Sequence, residues 1–196
     1  MRIGICGGTF DPFHRGHLDP VLAARETMQW DRVLYIPAWR QPFKTHLDAA
    51  PGAHRFAMAA LAIRDHEALY VSPIELDRGG VSYSVDTLDE LHRQFPGASF
   101  DWIIGDDNLA DLDRWKDPER LFQLARFVVL SRTQTTDNRQ PTPANANIVF
   151  AHNTTVPISS TEIRRLVRAG EPIDAFVDPL VSRYIHHYGL YKEGQS

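Results

Sequence analysis

Short apolar runs alternate with helical patterns through the chain, and this alternation predicts an α/β fold, a Rossmann-like doubly wound parallel sheet with helices on both faces. Two further observations agree. The first apolar run passes directly into a glycine pair and then a helix, and the segments richest in chemically active side chains each follow a predicted strand. In an open sheet of this kind ligands bind beyond the carboxyl ends of the strands, where the strand order reverses.

The elements follow in order. Arg2 to Cys6 is the first predicted strand, Gly7-Gly8 its exit, and Leu18, Val21 and Leu22 the apolar stripe of the next helix. Val33 to Ile36 is the second strand, and a proline-rich connection leads to a helix over about His54 to Asp65. Leu69 to Ser72, Phe100 to Ile104, Phe127 to Leu130 and Ile148 to Phe150 continue the strand series, with a helix over Ser84 to Gln94. Thr133 to Asn147 is polar, carries Pro141 and Pro143, and reads as a flexible excursion with two open roles, a solvated loop or a lid. No linker, composition shift or repeat divides the sequence, so residues 1–196 read as one domain.

A formal net charge of −4 and a pI near 6.1 exclude a general nucleic-acid binder, which carries a basic surface. Anion binding must come from local placement. Cys6 is the only cysteine, which rules out an intramolecular disulfide and a cysteine-based metal cluster and fits a reducing cytoplasm. Gly4 and Gly7 break the first apolar stretch too early for a signal peptide, and no segment has the length to cross a membrane. Monomer and homodimer both remain open.

Two segments carry chemistry. In Gly7-Gly8-Thr9-Phe10-Asp11-Pro12-Phe13-His14-Arg15-Gly16-His17-Leu18 the glycines let the backbone approach a phosphate. His14 and His17, three apart at a helix start, share one face. Near the other end, Ser159 caps a helix and Glu162 reaches back to complete a capping box, which places free backbone N–H groups beside Ser160, Thr161 and Arg164. The remaining histidines show no metal-ligand spacing.

The first segment resembles the T/HxGH signature of the nucleotidylyltransferase superfamily. The fuller string Gly-Gly-Thr-Phe-Asp-Pro-x-His-x-Gly-His-Leu is similar to the nicotinate-nucleotide adenylyltransferase branch. Ile158-Ser159-Ser160-Thr161, followed by Ile163-Arg164, resembles the second signature of that branch. Between them, Ser82-Tyr83-Ser84 with Asp86-Thr87-Leu88, then Ile103-Ile104-Gly105-Asp106-Asp107 and Trp115, match further family segments, as does the ending Val181 to Tyr191. The likeness covers nearly the whole chain. Departures are Phe43 before Lys44, where the family commonly has histidine, Asp106, where it often has a small residue, and Thr133-Gln134 after Arg132, where it has Pro-Gly.

The resemblance implies transfer of the adenylyl group of ATP to nicotinate mononucleotide, with magnesium entering on the ATP oxygens. It places His14, His17, Lys44 and Arg164 on the phosphates, with His17 bridging the α-phosphate. Gly8, Thr9 and Phe10 supply backbone contacts, and Ser159 and Ser160 hydrogen-bond the triphosphate. Gly105, Asp107, Arg132 and Ile158 contact adenine and ribose, whereas Ser82, Tyr83, Ser84, Thr87 and Trp115 form the mononucleotide pocket. Asp107 keeps a second reading as a helix N-cap, with Asp106 as the alternative cap, and Trp115 keeps one as a core aromatic. A phosphopantetheine or nicotinamide mononucleotide adenylyltransferase, and a nucleotide-binding protein without catalysis, are the rival readings.

Overall fold

Ile3 and Ile5 are completely buried on one face of the first strand, β1 (Arg2–Gly8), while Gly4 on the other face admits large neighbours. A Cβ at Gly4 would stand 3.0 Å from the Trp30 ring, so the glycine is what lets helix and sheet close up there. The computed structural model describes residues 1–43, 49–131 and 145–192. Lys44, Arg132 and most of the 133–147 excursion lie outside the described residues.

The other strands are β2 (Arg32–Pro37), β3 (Leu69–Val71), β4 (Ser99–Gly105), β5 (Arg126–Leu130) and β6 (Ile148–Ala151). All pair in parallel in the order β3-β2-β1-β4-β5-β6, so the chain reverses direction across the sheet at β1 and β4. One face is covered by α1 (Arg15–Met28), α2 (Gly52–Ile63), α6 (Ser160–Arg168) and α7 (Pro179–His187), which bury Val21, Met58, Ile163 and Val181 against Val33 and Tyr35. The opposite face packs α3 (Ile74–Arg78), α4 (Ser84–Gln94), a 3-10 helix (Asp106–Arg114) and α5 (Pro118–Leu124) over Ile3, Ile5, Leu34 and Phe127. This is the predicted doubly wound sheet.

Two expectations about local structure change. Gly7 and Gly8 are not the exit of β1 but its last two residues, paired in register with Ile36 and Pro37. The chain leaves the sheet at Thr9-Phe10, and Phe10 takes the left-handed conformation at φ 54°. The 3-10 helix has Gly105 as N-cap without a side-chain cap, so neither Asp106 nor Asp107 serves as one. The Asp106 carboxylate accepts from Ser131 Oγ at 3.2 Å, and Asp107 from Asn108 Nδ2 at 3.0 Å.

At the end of the sheet opposite the carboxyl ends of the strands, Asp101 is a buried anchor. It accepts two N–H groups of Arg126, at 2.9 and 2.5 Å, and the Trp30 indole N–H at 2.7 Å. No helix among the described residues is long and apolar enough to cross a membrane.

Candidate active site

The two histidines interlock through the start of α1. His14 is the N-cap, and its Nδ1 accepts the Gly16 N–H at 3.1 Å, while His17 Nδ1 accepts the His14 N–H at 3.3 Å. These bonds assign the hydrogen of each neutral ring to Nε2. The rings stack with centroids 3.7 Å apart. Phe10 and Phe13 brace His17, with ring centroids at 5.0 and 5.4 Å, and Tyr35 Oη donates to its carbonyl at 3.1 Å. Gly16 is required by contact: a Cβ there would sit 2.9 Å from the His14 ring.

The amino end of α6 is fastened to the same loop. Ser159 Oγ accepts the Glu162 N–H at 3.2 Å, as a cap should. The reciprocal half of the expected capping box is absent, because the Glu162 carboxylate engages Arg165, with Nη2 to Oε1 at 2.9 Å. A fixed cation one turn along competes better for the carboxylate than a single main-chain N–H. Ser160 Oγ donates to the Pro12 carbonyl at 3.1 Å, and Arg164 Nη1 donates to the Asp11 carbonyl at 2.7 Å. The Ser160 hydroxyl hydrogen is therefore spent within the protein.

These elements open on one cleft of about 1060 Å³ beyond the carboxyl ends of β1 and β4. The cleft gathers Gly8, Thr9, Phe10, His14 and His17 from the first loop, and Ile158, Ser159, Ser160 and Arg164 from the α6 entrance. Gly105, Asp107, Ser82, Tyr83, Ser84 and Trp115 line it as well. Trp115 is half-buried against Phe127, centroids 6.3 Å apart, and it also borders the cleft. Cys6 also borders it, and burial pushes its thiol up to about 12, so the group is neutral.

Thr87 does not reach the cleft. It is fully buried, and its hydroxyl donates to Glu75 Oε1 at 2.6 Å while accepting from Arg78 Nη2 at 2.8 Å. Ser82 borders the cleft, but its Oγ is engaged by the Trp39 N–H at 2.9 Å and its hydroxyl bonds to Glu75. Sequence reasoning missed Glu75, a buried carboxyl at the cleft wall whose pKa is raised by burial and pulled back in part by Thr87, Ser82 and Arg78. It also missed Arg114 and Lys116 on either side of Trp115, whose charges meet Asp111 at 2.7 Å and Asp86 at 2.8 Å. No group of three or more His, Cys, Asp or Glu able to hold a metal occurs among the described residues.

The cytidylyltransferase-like family model matches residues 5–166. A Thermus thermophilus protein named "Probable nicotinate-nucleotide adenylyltransferase" is 41% identical over 192 residues, covering 98% of this chain and 100% of that one. A Roseiflexus protein of the same name is 42% identical, with 97% and 98% covered. The chain belongs to the nicotinate-nucleotide adenylyltransferase family. It is therefore an enzyme of the nucleotidylyltransferase fold. Among solved structures, the Plasmodium falciparum nicotinic acid mononucleotide adenylyltransferase in complex with NaAD has a TM-score of 0.72 at 19% identity, covering 97% of both chains. That likeness bears on the fold. Both signature segments that suggested the family sit in the cleft.

Proposed function

We propose that this chain transfers the adenylyl group of ATP to nicotinate mononucleotide, giving nicotinate adenine dinucleotide and pyrophosphate, a step in the making of NAD. The observation that carries this reading is the junction of two N–H-presenting elements, the His14 and His17 pair and the amino end of α6, at one cleft with Arg164 between them. A phosphate oxygen of the mononucleotide attacks the α-phosphorus of ATP in line, the bond from that phosphorus to the bridging oxygen breaks, and pyrophosphate departs. The nucleophile is already anionic. Alignment and charge stabilisation are what remain for the protein to supply.

His17 Nε2–H donates to the α-phosphate as negative charge builds, and His14 to the neighbouring phosphates. The Gly8, Thr9 and Phe10 backbone and Ser159 complete the cradle, and Lys44 and Arg164 balance the charge of the leaving pyrophosphate and the incoming phosphate. With its own hydroxyl engaged by Pro12, Ser160 contributes its main-chain N–H at the helix start. Gly105, Asp107, Ile158 and Arg132 receive adenine and ribose. Trp115 offers an aromatic face to the pyridine ring, beside Tyr83 and Ser84, whereas Thr87 and Ser82 shape that pocket through Glu75. Magnesium arrives on the ATP oxygens as part of the substrate. The cytoplasm is the compartment that fits a lone thiol.

Pyrophosphate release from ATP and magnesium tests the assignment, with nicotinate mononucleotide, nicotinamide mononucleotide and phosphopantetheine offered separately. Turnover with nicotinate mononucleotide well above the other two is expected. Turnover with only one of the others would move the substrate and keep the chemistry, and silence with all three would overturn the reading.

A further inference from the structure

The carboxyl-terminal turn of the chain returns to the phosphate loop. Helix α7 ends in a Schellman arrangement: Gly189, at φ 63°, donates its N–H to His186 O, and Leu190 donates to Ile185 O. Leu190 is then buried as a plug, and Tyr191, itself left-handed at φ 65°, turns inward. Its hydroxyl donates to Asp11 Oδ1 at 2.6 Å, a bond across 180 positions of sequence. Asp11 is buried, and the same Oδ1 accepts the Ala50 N–H at 3.2 Å. Arg55, also buried, donates to Ala50 O and Thr9 O, each at 2.8 Å, and so pins both flanks of this carboxylate.

On its other side Asp11 meets Arg164. Nη1 donates to the Asp11 carbonyl at 2.7 Å but lies 3.9 Å from Oδ2. The carboxylate is thus held off the guanidinium, at the limit of an ion pair, by donors on its far oxygen. We infer that Tyr191 is a positioning residue for Arg164: by holding Asp11 Oδ1 it keeps the carboxylate from closing on the guanidinium and leaves that charge turned to the cleft. Burial beside Asp11 pushes the Tyr191 hydroxyl well above its ordinary range, so the donor keeps its hydrogen at every working pH. The inference rests on Arg164 serving the nucleotide phosphates.

Removing the hydroxyl leaves Oδ1 with the longer Ala50 bond alone, and the nearest stronger donor is Arg164. The test is a double-mutant cycle on the full chain, reading kcat and KM for MgATP with Tyr191→Phe, Arg164→Ala and both together, below the melting temperature of each. Tyr191→Phe should lower kcat/KM about tenfold in the parent and less than twofold in the Arg164→Ala background. A purely structural role would cost the same factor in both backgrounds. That result, or an unchanged Tyr191→Phe enzyme while Arg164→Ala is impaired, would overturn the inference and leave the phosphate assignment standing. An Arg164→Ala enzyme as fast as the parent would remove the phosphate assignment, and the role of Tyr191 with it. Tyr188→Phe, on the exposed side of the same turn, should change neither constant.

Discussion

Thr87 and Glu75 share a hydrogen bond of 2.6 Å behind the wall of the cleft, and it ties the start of α4 to α3. Burial raises the Glu75 pKa above the ordinary 4.5, so the folded chain keeps a proton that the unfolded chain has already released. The favourable contribution is complete below 4.5 and is lost as pH climbs through the raised folded value. In urea denaturation, the stability of the parent minus that of Glu75→Gln should therefore fall with rising pH across that window. A flat difference would show that the carboxyl titrates normally in the fold.

His17→Ala removes one preassigned N–H donor and also the acceptor that caps the His14 N–H. Loss of a single donor to developing charge costs about 10²–10³ in kcat. The variant should show that loss at saturating substrates with an unchanged far-ultraviolet circular dichroism spectrum. Near-parental turnover would remove the assigned role.

Gly16→Ala tests the same pair by geometry. The added methyl would meet the His14 ring at 2.9 Å, which forces the imidazole to shift off its bond to the Gly16 N–H. Displacement by about 1 Å can cost two orders of magnitude in rate. Turnover should drop at least tenfold while KM for the mononucleotide changes little, as steady-state kinetics will read out.

Asp101→Ala should act on stability. It strips two charged bonds from Arg126 and one from the Trp30 indole, leaving buried donors unpaired at the end of the sheet remote from the cleft. Breaking a buried pair on one side costs about 3–5 kcal/mol. The urea midpoint should fall accordingly, and kcat at low temperature should persist.

What the sequence made legible is what is decided locally. The run from Ile3 to His17 is strand, turn and helix start in one stretch, so its glycines and histidines announce a phosphate site without knowledge of the rest. The Ser159 cap is equally local. The role of Glu162 is less legible, because its carboxylate has two claimants within one turn and the winner, Arg165, lies beyond the motif. Helix α3 and the 3-10 helix after β4 are too short or too irregular to show a hydrophobic period, which hid the burial of Glu75. The commitment of the Thr87 hydroxyl to Glu75, twelve residues earlier, depends on how α3 docks, and no spacing rule carries that information. Helix α5 did leave a signal in Asp117-Pro118, an N-cap followed by proline.

The strand order has a consequence for how the protein is made. The imidazoles leave the ribosome before β4, which stands beside them in the sheet, and the helix carrying Arg164 follows later still. A nascent chain accordingly carries the histidine loop without the arginine opposite it until α6 has been made, and competence to handle a triphosphate waits for that helix.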